Sequence, residues 1–194
     1  MLEKPKNELF SPVLCNNVVY QMKITLKGVK PPLWRRIQVN SNITLKAFHR
    51  TIQVAMGWGN GHVHEFNIHG LSYSNDGDGV GSDEKRVRLN RLNLKEKDKF
   101  VYVYDSGDTW EHAIRVEKIL HVDEKFQYPI CIKGECSCPP EDCGGTEGYS
   151  ELLEVLSDPY HPDHEESIER VGVDFEPEMF DVEKTNWRLR SIRK

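Results

Sequence analysis

The sequence predicts an α+β fold: a mostly antiparallel sheet with a β-grasp-like hairpin-and-helix start, and a helical C-terminal third packed on it. Three observations carry that expectation. Apolar residues alternate with period two at 18–26, 62–69 and 110–117, the mark of strands with one buried face. They recur at helical spacing at Leu45, Phe48, Ile52 and Met56, and again at Tyr149, Leu152, Leu153 and Leu156. Between 99–104 and 110–117, Asp105-Ser106-Gly107-Asp108 turns the chain back, the clearest hairpin in the sequence.

In chain order, 1–17 reads as an extension and 18–194 as a single domain. That domain divides into a sheet-rich part (18–127), a Cys- and Pro-rich loop (128–145) and an acidic helical part (146–194). Residues 18–26 place Tyr20, Met22, Ile24 and Leu26 on one face and Gln21, Lys23 and Thr25 on the other. Gly28 to Pro32 break this strand, and 33–39 resume it with Ile37 and Val39 inward and Trp34 and Arg36 outward. Thr44 is placed to cap the following helix and Gly57 to end it. His62, His64, Phe66 and Ile68 share the next strand face. Residues 75–83 (NDGDGVGSD) read as a flexible loop. It does not bind calcium in EF-hand fashion, because Val80 and Val87 fall where oxygen ligands are required. The run 99–104 is apolar on both faces, as in a central strand, and Trp110, His112, Ile114 and Val116 point inward after the turn. A helix over 146–157 stops at Asp158-Pro159, Pro162 opens a short one ending near Gly172, and a last helix follows Phe180.

Composition excludes several classes. The chain has 194 residues, 38% hydrophobic and 29% charged, and a formal net charge of −5. No apolar run reaches the ~18 residues of a spanning helix, and MLEKPKNELFSP lacks the apolar core of a secretory signal. Five cysteines, an odd number, fit a reducing cytoplasm better than a fully paired extracellular framework. Charge is strongly segregated. Between Glu8 and Glu65 there are seven bases and no acid, whereas Glu135 to Glu183 holds sixteen acids and one base, Arg170. The pI of about 5.9 lies well below the range usual for nucleic-acid domains, roughly above 9. Phosphate-loop, dinucleotide, G-x-S-x-G and H-E-x-x-H motifs are absent.

Three constellations could carry chemistry. Cys131, Cys136, Cys138 and Cys143 are spaced C-x4-C-x-C-x4-C, and His161 and His164 follow. Cys138, Cys143, His161 and His164 would make a Cys2His2 zinc site; the alternative is a loop of small buried thiols. His64, Asp105, Asp108 and His112 would converge if their strands are neighbours, either as a metal or acid/base group or as histidines pinned by a turn aspartate. Trp34, Arg35 and Arg36, with Lys85, Arg86, Arg88 and Arg91, have the residue types that contact phosphates and stack bases, and equally those of a solvated strand face.

Several stretches together resemble one family. They are ITLKG (24–28), PPLWRRIQV (31–39), Met56-Gly57-Trp58, HVHEF (62–66), YDSGDTWEH (104–112), CPPEDCGG (138–145), GYSELLEVLSDP (148–159) and HPDHEE (161–166). In this order they resemble the plasmid pRiA4b open-reading-frame-three-like family, with departures at Ser106 and Thr109. The resemblance implies an α+β domain of its own type, occurrence on plasmids, transposable elements and chromosomes, and no agreed catalytic residues. It groups His64, Glu65, Asp105, Asp108, Trp110, Glu111 and His112 with the Pro-Pro-Glu-Asp-Cys-Gly-Gly loop. Two functions stay open. One is a non-catalytic module of the cytoplasm that binds nucleic acid or a protein partner and no membrane, with Trp34, Arg35, Arg36 and Trp110 as contacts. The other is a metal-dependent or acid/base enzyme using His64, His112, Asp105 and Asp108.

Overall fold

The computed structural model describes residues 17–74 and 82–193. The N-terminal extension with Cys15, and nearly all of the 75–83 loop, lie outside them. Eight strands form one sheet: β1 (Val18–Leu26), β2 (Trp34–Asn40), β3 (His64–Ile68), β4 (Leu71–Ser74), β5 (Ser82–Asp83), β6 (Lys99–Tyr104), β7 (Trp110–His121) and β8 (Ile130–Glu135). Their spatial order is β5-β4-β3-β6-β7-β1-β2-β8, antiparallel throughout except for the two-residue β4–β5 pair. Among the described residues four α-helices accompany it, α1 (Leu45–Met56), α2 (Gly145–Ser157), α3 (His164–Val171) and α4 (Val182–Arg190). The expected α+β architecture and hairpin-helix opening are present. None of the described helices is long and apolar enough to cross a membrane.

The β1–β2 hairpin leads into α1, which crosses the sheet to reach β3 four strands away. Thr44 Oγ1 accepts the Ala47 amide at 3.1 Å, and Gly57, at φ 99°, sends its amide back to the Gln53 carbonyl. Leu45, Phe48, Ile52, Ala55 and Met56 form the buried stripe. Phe48 stacks on Phe66 of β3 at 5.7 Å and meets Phe100 of β6 at 6.3 Å. The sheet face beneath α1 is therefore the core, built from Met22, Ile24, Ile37, Val39, Ile114, Val116 and their neighbours. We call it the inner face. The opposite, outer face carries Lys23, Arg36, Val101, Val103 and Arg115, half-buried or exposed.

Two expectations are corrected. The segment 128–145 is not all loop: β8 lies within it and extends the sheet beyond β2. Its inward residue is Cys131, and a register shift opposite Arg36/Ile37 breaks the alternation that would have revealed it. Strand β6 is interior, but only Phe100, Tyr102 and Tyr104 are buried. Val101 and Val103, on the outer face, are only half-buried among the described residues. On the free side of β8, Asn186 of α4 accepts the Cys131 amide at 2.9 Å and donates to the Cys131 carbonyl at 2.7 Å. Gly134 faces the ring of Phe180; a Cβ there would stand 2.5 Å from it.

Candidate functional site

The inner face carries a polar seam under α1. His49 and Gln53 on successive turns of α1 point at Tyr102 of β6. Gln53 Nε2 donates to the Tyr102 hydroxyl at 2.9 Å, and that hydroxyl lies 2.7 Å from His49 Nδ1. His49 Nε2 bonds Asn60 Oδ1, and the Asn60 amide donates to Gln53 Oε1 at 3.2 Å. Asn60 Oδ1 can only accept, so the partners assign the proton to Nε2 and leave Nδ1 to accept from Tyr102. The four groups close a ring of hydrogen bonds in which every one of these valences is used. Burial, with the adjacent His64 second, pushes His49 down to about 4, and burial raises Tyr102 well above its usual value. His64 stacks on His49 at 3.4 Å, and its Nε2 lies 2.6 Å from Glu84 Oε2, a pair almost wholly buried.

His112 and Trp110 of β7 complete this face differently. Both are fully buried, yet neither ring nitrogen of His112 nor the Trp110 indole nitrogen has a hydrogen-bond partner among the described residues. Burial holds His112 at about 4, neutral at pH 7. It sits edge-on to Trp58 at 5.4 Å, and Trp58 stacks on Tyr104 at 5.1 Å.

At the end of the seam the segment after α1 meets two loops. Trp58 Nε1 donates to the Pro139 carbonyl at 2.9 Å, and the Gly59 amide donates to Glu141 Oε2 at 2.8 Å. Tyr104 donates to Glu141 Oε1 at 2.6 Å and accepts the Gly61 amide at 3.1 Å. Gly145 lies so close to the β6–β7 turn that a Cβ would stand 2.6 Å from the Asp108 carbonyl. Here His62 Nδ1 is 3.4 Å from Asp105 Oδ2, and His62 Nε2 is 3.5 Å from Asp142 Oδ1.

The four residues expected to form an acid/base group are thus divided among different partners. Among the described residues His64 pairs with Glu84 and Asp105 with His62, while His112 and the Asp108 Oδ2 atom have no partner. The expected zinc quartet is likewise not gathered. His161 Nδ1 accepts the Asp163 amide at 3.1 Å, and His164 Nδ1 donates to the Val155 carbonyl at 3.0 Å. Burial raises Cys138 to about 12 and Cys143 to about 11, which disfavours the thiolates a metal needs. The described group of three or more ligating side chains within 4.8 Å is His62, Asp105 and Asp142. A cleft of about 470 Å³ lies between the end of α1, the 137–141 loop, α3 and α4. Arg170, Lys184 and Arg188 line it alongside Asp174, Glu176 and Asp181.

The basic patch is also rearranged. Arg35 is not on the surface: it is 1% exposed, donates to the carbonyls of Ala55, Trp34 and Glu135, and lies 3.9 Å over the Phe180 ring. Period two explains this, since Ile37 and Val39 point inward and Arg35 shares their parity. Trp34 is outward but 7% exposed, bonded through Nε1 to Glu135 and overlain by Lys23, Arg36 and Lys133. Its ring is a platform for cations, and no open face remains for a base. Register aligns five cations directly across five adjacent strands of the outer face: Lys99, Arg115, Lys23, Arg36 and Lys133. Only Arg36 is ion-paired among the described residues, to Glu117 at 2.6 Å. That hydrogen bond raises the Arg36 pKa and lowers that of Glu117. Like charges placed directly opposite in a sheet are destabilising, so the fold carries this row at a cost.

A family model described as plasmid pRiA4b ORF-3-like protein matches residues 18–184. The chain belongs to that family. Among its relatives is the uncharacterized protein y4hQ of Sinorhizobium fredii (strain NBRC 101917 / NGR234), 38% identical over 158 residues. That match covers 79% of this chain and 81% of the relative. A crystal structure of a protein of unknown function, MM3350 from Methanosarcina mazei Go1, superposes with a TM-score of 0.81 at 40% identity. It covers 86% of this chain and 97% of the other. Sequence reasoning within the family motifs missed His49, Gln53, Asn60 and Glu84, whose partners lie up to 53 residues away. It also did not single out His62 or Asp142 as ligand candidates, although both lie within quoted motifs.

Proposed function

We propose that this protein is a non-catalytic module of the reducing cytoplasm that binds single-stranded nucleic acid through the outer face of its sheet. The five-cation row carries this reading. Strands about 4.8 Å apart make the row about 19 Å long, so a backbone with recurring phosphates meets several cations at once. The acidic helix α3 and the acids Asp174, Glu176 and Asp181 that follow it line the cleft at the end of α1, on the inner side, so their field is displaced from the row. Recognition is electrostatic and tolerant of sequence, because Trp34 is covered. The free thiols at Cys131, Cys136, Cys138 and Cys143 support the reducing compartment.

The test is fluorescence polarisation with a labelled single strand of about 20 nucleotides, of homopyrimidine and mixed sequence, from about 25 to 200 mM salt. Both strands bind alike, with an affinity that falls steeply with salt. The triple substitution Lys99→Ala, Arg115→Ala, Lys133→Ala, all at exposed positions, reduces the log–log salt slope by about 2, from ~0.7 per phosphate contact. An absence of binding at the lowest salt, or an unchanged slope in the variant, overturns the reading.

A further inference from the structure

We infer that His62, Asp105 and Asp142 form a binding site for a first-row divalent cation, with Zn²⁺ the best match. The three come from separate parts of the chain: the segment before β3, the β6–β7 turn and the loop after β8. They nevertheless bring one ligand atom each to within 4.8 Å of the others. An imidazole with two carboxylates and no thiolate is a borderline-hard donor set that suits Zn²⁺ or Mn²⁺.

His62 presents Nδ1 to Asp105 at 3.4 Å and Nε2 to Asp142 at 3.5 Å, and its ring makes no hydrogen bond among the described residues, so a nitrogen is free for an ion. Asp105 is oriented for ligation, since its Oδ1 accepts the Gly107 amide at 2.8 Å and leaves Oδ2 facing His62.

Charge points the same way. Asp105 is 8% exposed, and among the described residues its one ion-pairing neighbour is His62. Asp108, in the same turn, buries its Oδ2 with no hydrogen-bond partner among the described residues. Two carboxylates in one turn without a lysine or arginine bridge are costly unless a cation compensates them. Arg170 is the nearby base, but its Nη2 donates to the Asp142 carbonyl at 2.7 Å rather than to a carboxylate. Asp142 is the exposed member, so it closes the site from the solvent side. Three protein ligands leave a fourth position for water.

The experiment titrates the metal-free full chain with Zn²⁺ against a chromophoric chelator and records Co²⁺ absorption spectra. One equivalent binds, and the Co²⁺ spectrum lacks a sulfur charge-transfer band. Asp142→Asn and His62→Ala each weaken binding by more than about 100-fold, beyond the roughly 10–100-fold typical of groups outside the ligand shell. Cys138→Ser with Cys143→Ser leaves binding unchanged. Asp142 is exposed, so its substitution keeps the fold, which circular dichroism verifies. Failure to bind either ion, binding that survives the His62→Ala, Asp142→Asn double variant, or a sulfur band lost with the cysteines overturns the assignment. The inference is independent of nucleic-acid binding, because the row residues are absent from the site.

Discussion

On the inner face of the sheet most polar groups are matched within the protein, His112 and Trp110 excepted, whereas the outer face keeps a row of cations of which only Arg36 is ion-paired among the described residues. On the inner face His49, Gln53, Asn60 and Tyr102 satisfy one another in a closed ring, and Arg35 directs its donors to three carbonyls. On the outer face Lys99, Arg115, Lys23 and Lys133 stand in register with no ion pair among the described residues. A buried polar group must be matched inside the protein, whereas an exposed one leaves its valence for solvent or a ligand. Saturation therefore marks the ring around His49 and Tyr102 as architecture, and the four cations without an ion pair as the surface with interactions to offer.

Adjacent residues give the sharpest way to break this contrast. Arg35→Ala strands buried carbonyls and empties the space over Phe180, so urea unfolding should show a loss of about 3–5 kcal/mol. Arg36→Ala, one residue on, removes a half-exposed ion pair and should cost no more than about 1 kcal/mol. Equal losses would collapse the distinction between the faces. Phe48→Ala serves as an apolar reference on the inner face, at about 3–5 kcal/mol.

Acid is the next lever. His49 and His112 have folded values of about 4, below the unfolded value near 6.5. The unfolded chain therefore binds more protons between those values, and stability falls as pH drops from about 6.5 to about 4, by up to ~3 kcal/mol per group. Replacing His112, which has no partner among the described residues, by Phe should flatten this dependence without a large loss at pH 7, as followed by thermal melts across that window. Tyr102→Phe opens the inner ring and should cost about 1–3 kcal/mol. The smallest effect has the opposite sign. Arg115→Glu turns its oppositions to Lys99 and Lys23 into attractive pairs and should stabilise by ~0.2–1 kcal/mol per pair while weakening oligonucleotide binding.

Much of the fold was legible because it rests on local periodicity. Alternation located β1, β3 and β7, and Thr44 with Gly57 bounded α1. Strand β8 escaped because a bulge, a glycine and a cysteine disguise six residues as loop. The candidate sites were less legible for a related reason. His64 gave no sign of choosing Glu84 over Asp105, since partner choice depends on tertiary neighbours. Arg35 could have been placed from parity alone, as Ile37 and Val39 fix its side of the strand. The five-cation row was invisible, because it exists only once strand order and register are known.

Asn186 has a consequence for how copies of this protein meet. An outermost strand offers unused amides and carbonyls to any extended chain, the usual seed of sheet-to-sheet aggregation. The Asn186 carboxamide presents an acceptor and a donor to Cys131 as the next strand would, so it acts as a one-residue stand-in for a ninth strand. Beside it, the β8 bulge and Lys133 spoil the flat edge a recruit would need. One side chain of α4 thus both fastens the helical third to the sheet and keeps that border of the sheet from growing.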